Sequence, residues 1–95
     1  MKNVKIGGLT YEIVKVNDLA IKEDVIGRIK YYEAKIELEK WLSKQVEEQT
    51  LVHEILHGCF KEAGYDDQEE VIDRVGKVLY QVLKDNDFSF VRGGQ

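Results

Sequence analysis

The chain has no proline, one cysteine, one tryptophan, one methionine and only two histidines. With Cys59 as the single thiol, no internal disulfide can staple the fold, which points to a reducing, cytoplasmic compartment. No apolar run approaches the ~20 residues that a bilayer span requires. The first residues, Met1 to Val4, lack the apolar core of a secretory leader. Net charge is −4, with acids and bases interspersed, so the basic face expected of a nucleic-acid binder is missing. Low-complexity segments and internal repeats are absent as well. What is present is ordinary for a globular chain: 43% hydrophobic and 34% charged residues over 95 positions. That length supports one core and one domain, residues 1–95. A domain this small, without disulfides, gains from a bound metal.

Both histidines fall within His53-Glu54-Ile55-Leu56-His57. This is H-E-x-x-H, the zinc-binding and catalytic signature of metallopeptidases. On a helix, residues four apart stand one above the other. His53 and His57 can therefore share one Zn²⁺, and Glu54 can reach a water beside it. Since both histidines are used, a third ligand has to be Cys59 or a carboxylate.

The first half of the chain reads as strands. Val4, Ile6, Leu9, Tyr11 and Ile13 alternate with polar residues about Gly7-Gly8, a hairpin signal. The segment Asn17 to Asp24 reads as a loop or a short helical turn. Ile29 and Tyr31, then Ala34, Ile36 and Leu38, predict a second hairpin turning near Tyr32-Glu33. Trp41, Tyr31 and Tyr32 are expected in the core or on a sheet face. The second half reads as two helices. One starts at an N-cap Ser43 and stops at Gly64. The other runs from about Gln68 to Lys84, capped by Asp66 or Asp67, and is followed by a short packed tail of Phe88, Phe90 and Val91. Gly93-Gly94-Gln95 is expected to fray. The expected class is α+β: a small, mostly antiparallel sheet of three or four strands, then an active-site helix, then a second glutamate-bearing helix.

Helical-wheel placement, at ~100° per residue, puts Val52, Leu56, Cys59, Phe60 and Ala63 on one apolar arc. His53 and His57 lie at its edge, with Glu54 next to them. Cys59 points into the arc and is expected to be buried. In the second helix, Val71, Ile72, Val75, Val78, Leu79, Val82 and Leu83 form a broad arc that is expected to be covered. Glu69 and Asp73 sit at the edge of that arc, while Glu70 falls on the solvent face with Arg74 and Lys77. Either Glu69 or Asp73 can complete a metal site. In a tight helix pair Asp73 is closer to the level of His57, so it rivals Glu69 for the role. Tyr80 falls near both acids, as an oxyanion donor or a packed ring. Gly58 and Gly76 sit mid-helix despite their propensity cost, which predicts close approach of another backbone or of substrate.

The segments QTLVHEILHG and EEVIDRVGKVLYQVLKDN resemble the ImmA/IrrE-type zinc metallopeptidases and their short phage and prophage relatives. They are also similar to minimal gluzincins. The resemblance spans roughly residues 49–86. It implies a zincin-like fold, zinc ligands His53, His57 and Glu69, Glu54 as general base, and Asp73 supporting a ligand histidine. It further implies a protein or peptide substrate such as a phage regulator, in a bacterial host or phage-infected cell. The separation of His57 and Glu69 is short compared with larger members, and their N-terminal helix is not evident.

These expectations define a zinc-dependent peptidase, with an edge strand at Lys35 to Leu38 holding the substrate by strand addition. Two other readings exist. One is a non-catalytic phage accessory domain that binds a protein partner, with structural zinc or none. The other is an inactive precursor whose cleft is filled by Phe88 to Gln95 or by Asn17 to Asp24. Oligomeric state is not legible in the sequence.

Overall fold

The computed structural model describes residues 1–66 and 68–93. Asp67, one of the two expected helix caps, and Gly94-Gln95 of the expected frayed end lie outside the described residues.

The fold is α+β. Strands β1 (Asn3–Ile6) and β2 (Leu9–Val16) precede a one-turn helix α1 (Leu19–Glu23). Strands β3 (Gly27–Lys30) and β4 (Lys35–Glu39) lead into two long helices, α2 (Lys44–Glu62) and α3 (Glu69–Asp85). A short 3₁₀ turn, Ser89–Arg92, follows. Both expected hairpins form. Gly7 makes the first turn at φ 60°, a left-handed conformation that costs little without a Cβ. Ala34 closes the second at φ 54°.

The sheet order is β1-β2-β4-β3. Two of its pairings are antiparallel, but β2 and β4 run parallel. The sheet is thus mixed rather than mostly antiparallel. The cause is the 17–26 connection, which is long enough to carry the chain past one strand position, so that β3 lies two places from β2. β3 then descends at the outer edge and β4 returns in the gap beside β2. This also overturns the expected edge strand: Lys35 to Leu38 lies inside the sheet, bonded on both sides, and the edges among the described residues are β1 and β3. Register at the β3 edge is reinforced where Arg28 Nε donates to Glu37 at 2.6 Å, directly across the strand pair. Arg28 also reaches Glu23 of α1 at 3.0 Å.

One face of the sheet carries the core of Ile6, Tyr11, Ile36 and Leu38, with Leu51 and Ile55 of α2 packed against it. The α2 helix begins as expected, the Ser43 hydroxyl accepting from the Val46 amide at 3.4 Å. It ends where Gly64, at φ 88°, lets the Tyr65 amide donate to the Phe60 carbonyl at 2.9 Å, a Schellman-type stop. Gly58 is where α2 lies on the sheet: a Cβ there would stand 2.7 Å from Ile6 Cδ1 and 3.1 Å from Ile29 Cδ1. Gly58→Val is accordingly expected to overpack this contact and lower stability by ~1–3 kcal/mol, read as a fall in the urea midpoint with an unchanged slope.

Helix α3 packs on α2 through Ile72 and Gly76, its two buried positions. A Cβ on Gly76 would lie 3.8 Å from His53 Cα, so the two backbones approach each other at the motif itself. A second fastening holds the far end. Tyr80 Oη donates to Glu48 at 2.7 Å, and Lys84 Nζ reaches the same oxygen at 3.2 Å. Residue 68 occupies the cap position of α3 with no side-chain hydrogen bond, so Asp66 is not the cap. The start is instead favoured by Glu69 and Glu70 in the first turn, where carboxylates suit the helix dipole.

Several burial expectations fail. α3 stands on α2 rather than on the sheet, so little of it is covered. Val71, Val75, Val78 and Leu83 are exposed. Cys59 is exposed too, because no described element lies over that side of α2. Trp41 is 80% exposed in the turn between β4 and α2, and Tyr32 is wholly exposed at the β3–β4 turn. Phe90 and Val91 stand in solvent rather than forming a packed tail. Among the described residues, no helix is long and apolar enough to cross a membrane.

Candidate metal centre

The α2 helix presents His53 and His57 one turn apart on the side that faces α3. Their rings meet edge to face, with centroids 4.9 Å apart. Glu69, the first residue of α3, turns its carboxylate onto both. Its Oε1 lies 3.0 Å from His53 Nε2 and its Oε2 lies 2.8 Å from His57 Nε2. The two Nε2 atoms are 3.2 Å from each other.

This convergence tests whether the residues fit a metal. Two Nε2 atoms aimed at one another and at the same carboxylate need a shared proton or a shared cation. Ligand atoms around a tetrahedral zinc with bonds near 2.0–2.1 Å are ~3.3 Å apart. The two histidine nitrogens, 3.2 Å apart, already stand at nearly that separation, and each has a Glu69 oxygen within 3.0 Å. Two imidazoles and one carboxylate form a known donor set of catalytic zinc, which leaves a fourth position open. His53, His57 and Glu69 are also the one group of metal-capable side chains that converges among the described residues. They fit the ion.

The rivalry between Glu69 and Asp73 has a geometric outcome. Asp73 Oδ1 lies 3.9 Å from His53 Nδ1, on the side of the ring away from the cluster. It is beyond direct hydrogen-bond range and has the place of a group that orients the ring, directly after a small shift or through a water. Asp73 is itself held by Lys77 at 3.6 Å. Tyr80 points elsewhere, its hydroxyl committed to Glu48, so it is a latch between helices and not part of this cluster.

Glu54 is 7% exposed. Its carboxyl is pushed up to about 7, first by burial and then by the negative charge of Glu69. Glu54 lines the adjoining cleft. A carboxyl poised near neutrality beside a candidate metal site has the proton affinity a general base requires.

The cleft holds about 1020 Å³ and runs past the histidines between α3 and the β3 edge. Gly27, Arg28 and Ile29 of β3 form one wall, and Val46, Gln49 and Thr50 of α2 continue the floor. Ala20 and Asp24 border it, so the 17–24 segment stands at the rim. None of the described tail residues 88–93 lines it. Three aromatic residues of the cleft were not singled out by the sequence as site residues: Tyr31, Phe60 and Tyr65. Tyr31 sits at the end of β3 with its hydroxyl directed at the His57 carbonyl, 3.4 Å away. The signal for Phe60 was its place three residues after His57, on the same side of the helix; for Tyr31 it was strand alternation into a site not yet located.

Comparison of the chain with known protein families, curated proteins and solved structures gave no match.

Proposed function

We propose that this protein is a zinc-dependent peptidase of minimal zincin-like build, related to the ImmA/IrrE type. The observation that carries this reading is the meeting of His53, His57 and Glu69 from two helices, within 4.8 Å of one another, beside a buried Glu54 that opens onto the same cleft. His53, His57 and Glu69 would hold the ion. When bound, zinc supplies a Lewis acid that acidifies a water and polarises a carbonyl. Glu54 takes a proton from the attacking water and returns it to the leaving amine. Its raised proton affinity suits both halves of that exchange. Asp73 keeps the His53 ring turned toward the cluster.

The substrate is a protein or peptide in extended form. β3 is a sheet edge whose residues wall the cleft, and an extended chain can add to it as a further strand. Alternate side chains of that chain would then meet the aromatic end at Phe60 and Tyr65 and the apolar end at Val46.

The test is incubation of the zinc-loaded chain with unfolded protein substrates, with products read by mass spectrometry. New internal termini that disappear on chelation and in Glu54→Gln support the reading. Stoichiometric zinc with every substrate intact would reduce the protein to a metal-binding domain.

A further inference from the structure

Three contacts of α3 with α2 run in opposite order along the two helices. Glu69 meets His53 and His57 at 3.0 and 2.8 Å. Gly76 passes His53, where a Cβ would stand 3.8 Å from the histidine Cα. Tyr80 and Lys84 meet Glu48. The last contact is a closed triangle. Tyr80 Oη donates to Glu48 Oε1 at 2.7 Å, Lys84 Nζ donates to the same oxygen at 3.2 Å, and Lys84 Nζ also donates to Tyr80 Oη at 3.0 Å. The hydroxyl first and the ammonium next hold the Glu48 carboxyl below its ordinary range. The acceptor is therefore charged at neutrality, and hydrogen bonds to a charged acceptor are the stronger kind. Glu48 also stands on an anchored part of α2. Its neighbour Glu47 pairs with Lys15 of β2 at 3.0 Å, and the buried Thr50 puts its methyl in the space a side chain on Gly27 would take.

Nearer the metal cluster α3 has a short base. Its two buried residues, Ile72 and Gly76, are one turn apart, about 6 Å along the axis. From the middle of that base Glu69 lies about 8 Å to one side and Tyr80 about 9 Å to the other. A tilt that lifts Tyr80 thus moves Glu69 by a similar amount the opposite way. Metal ligands have to keep their distances within about 0.2 Å, so even a slight tilt matters at Glu69. We propose that the Glu48–Tyr80–Lys84 triangle is a positioning device for Glu69: by fixing the tilt of α3 from its far end, it keeps that carboxylate in reach of both histidines and sets how tightly the cluster holds a cation. This rests on the reading of His53, His57 and Glu69 as metal ligands and needs nothing of the cleavage step. The coupling is reciprocal, so a bound cation tightens the triangle in turn.

The test is zinc affinity of the intact chain, by competition with a calibrated chelator, for the parent, Tyr80→Phe, Glu48→Ala and Glu48→Gln, and for Tyr80→Phe in a Glu69→Ala background. Conditions are chosen where circular dichroism shows every metal-free variant fully folded. There a mere loss of stability leaves the affinity unchanged, because it acts only through the unfolded fraction. Tyr80→Phe and Glu48→Ala are each expected to weaken zinc ~3–10-fold, less than the ~10–100-fold typical of a group that touches a ligand histidine. Glu48→Gln keeps an acceptor for the hydroxyl and should recover most of the parental affinity. In the Glu69→Ala background, Tyr80→Phe should leave the weak residual binding by the histidine pair as it was, since the carboxylate it positions is gone. Parental affinity in both Tyr80→Phe and Glu48→Ala overturns the proposal and leaves the ligand set standing. An undiminished effect of Tyr80→Phe in the Glu69→Ala background also overturns it, because the triangle would then act on something other than Glu69. A parent that binds no zinc removes the ligand set itself, and the proposal with it.

Discussion

Glu54→Gln is expected to keep zinc, lose peptide cleavage by ~10²–10⁴-fold, and make the metal-free protein more stable at alkaline pH. The last effect follows from where the carboxyl sits. Its proton affinity is raised from 4.5 to about 7, chiefly by burial. Between those values the folded chain holds a proton that the unfolded chain has released. Stability therefore falls as pH rises through that window and levels off above it. The displacement from 4.5 to about 7 corresponds to roughly 3 kcal/mol at pH 8. Glutamine has no such proton to lose. Urea unfolding of parent and variant, in chelator, should give coincident stabilities at pH 4.5 and a gap of that order at pH 8. Equal stability at both pH values would mean that the Glu54 carboxylate is well solvated in the folded chain. Cleavage surviving in Glu54→Gln would remove it from the reaction altogether.

Glu69→Ala is expected to weaken zinc far more than Asp73→Ala does. Removing Glu69 takes away a ligand that touches both histidines, at 3.0 and 2.8 Å. Removing Asp73 only frees the outer side of the His53 ring, a change of the kind that costs ~10–100-fold in metal affinity. Competition titrations against a calibrated chelator separate the two. Thermal stability offers an independent readout, because an ion at 1,000 times its dissociation constant adds about 4 kcal/mol to a folded state that alone binds it. That gain should vanish in Glu69→Ala and persist, reduced, in Asp73→Ala. A reversed order would make Asp73 the ligand and leave Glu69 as a surface acid at a helix start.

The elements of this fold were legible where short-range chemistry fixes them. Gly7-Gly8, Ser43 and Gly64 act within a few residues, and the hairpin, helix start and helix stop fall where those residues place them. The spacing of His53 and His57 likewise needed only the pitch of a helix. The wheel also set Glu69 apart from Glu70. It could not rank Glu69 against Asp73, because that depends on how α3 lies across α2, a long-range matter decided by the Gly76 contact with His53. Strand order was hidden for the same reason. Alternation shows which residues share a face, but nothing in Lys35 to Glu39 says that β2 will be its parallel neighbour. The exposed positions misled most. Apolar character in Trp41, Val75, Val78 and Val91 suggested burial, yet burial requires a neighbour, and a 95-residue chain has few to offer.

Helix α3 is attached through α2 rather than through the sheet, by Ile72, Gly76 and the Glu48–Tyr80 bond. An ion shared by His53, His57 and Glu69 would thus act as a clasp between a well-anchored body and a loosely held arm. Amide hydrogens of residues 69–85 should exchange through a sub-global opening in chelator and approach the rate of whole-molecule unfolding in zinc. The cell's zinc supply would then set how long this arm survives a processive protease, and with it the lifetime of the protein.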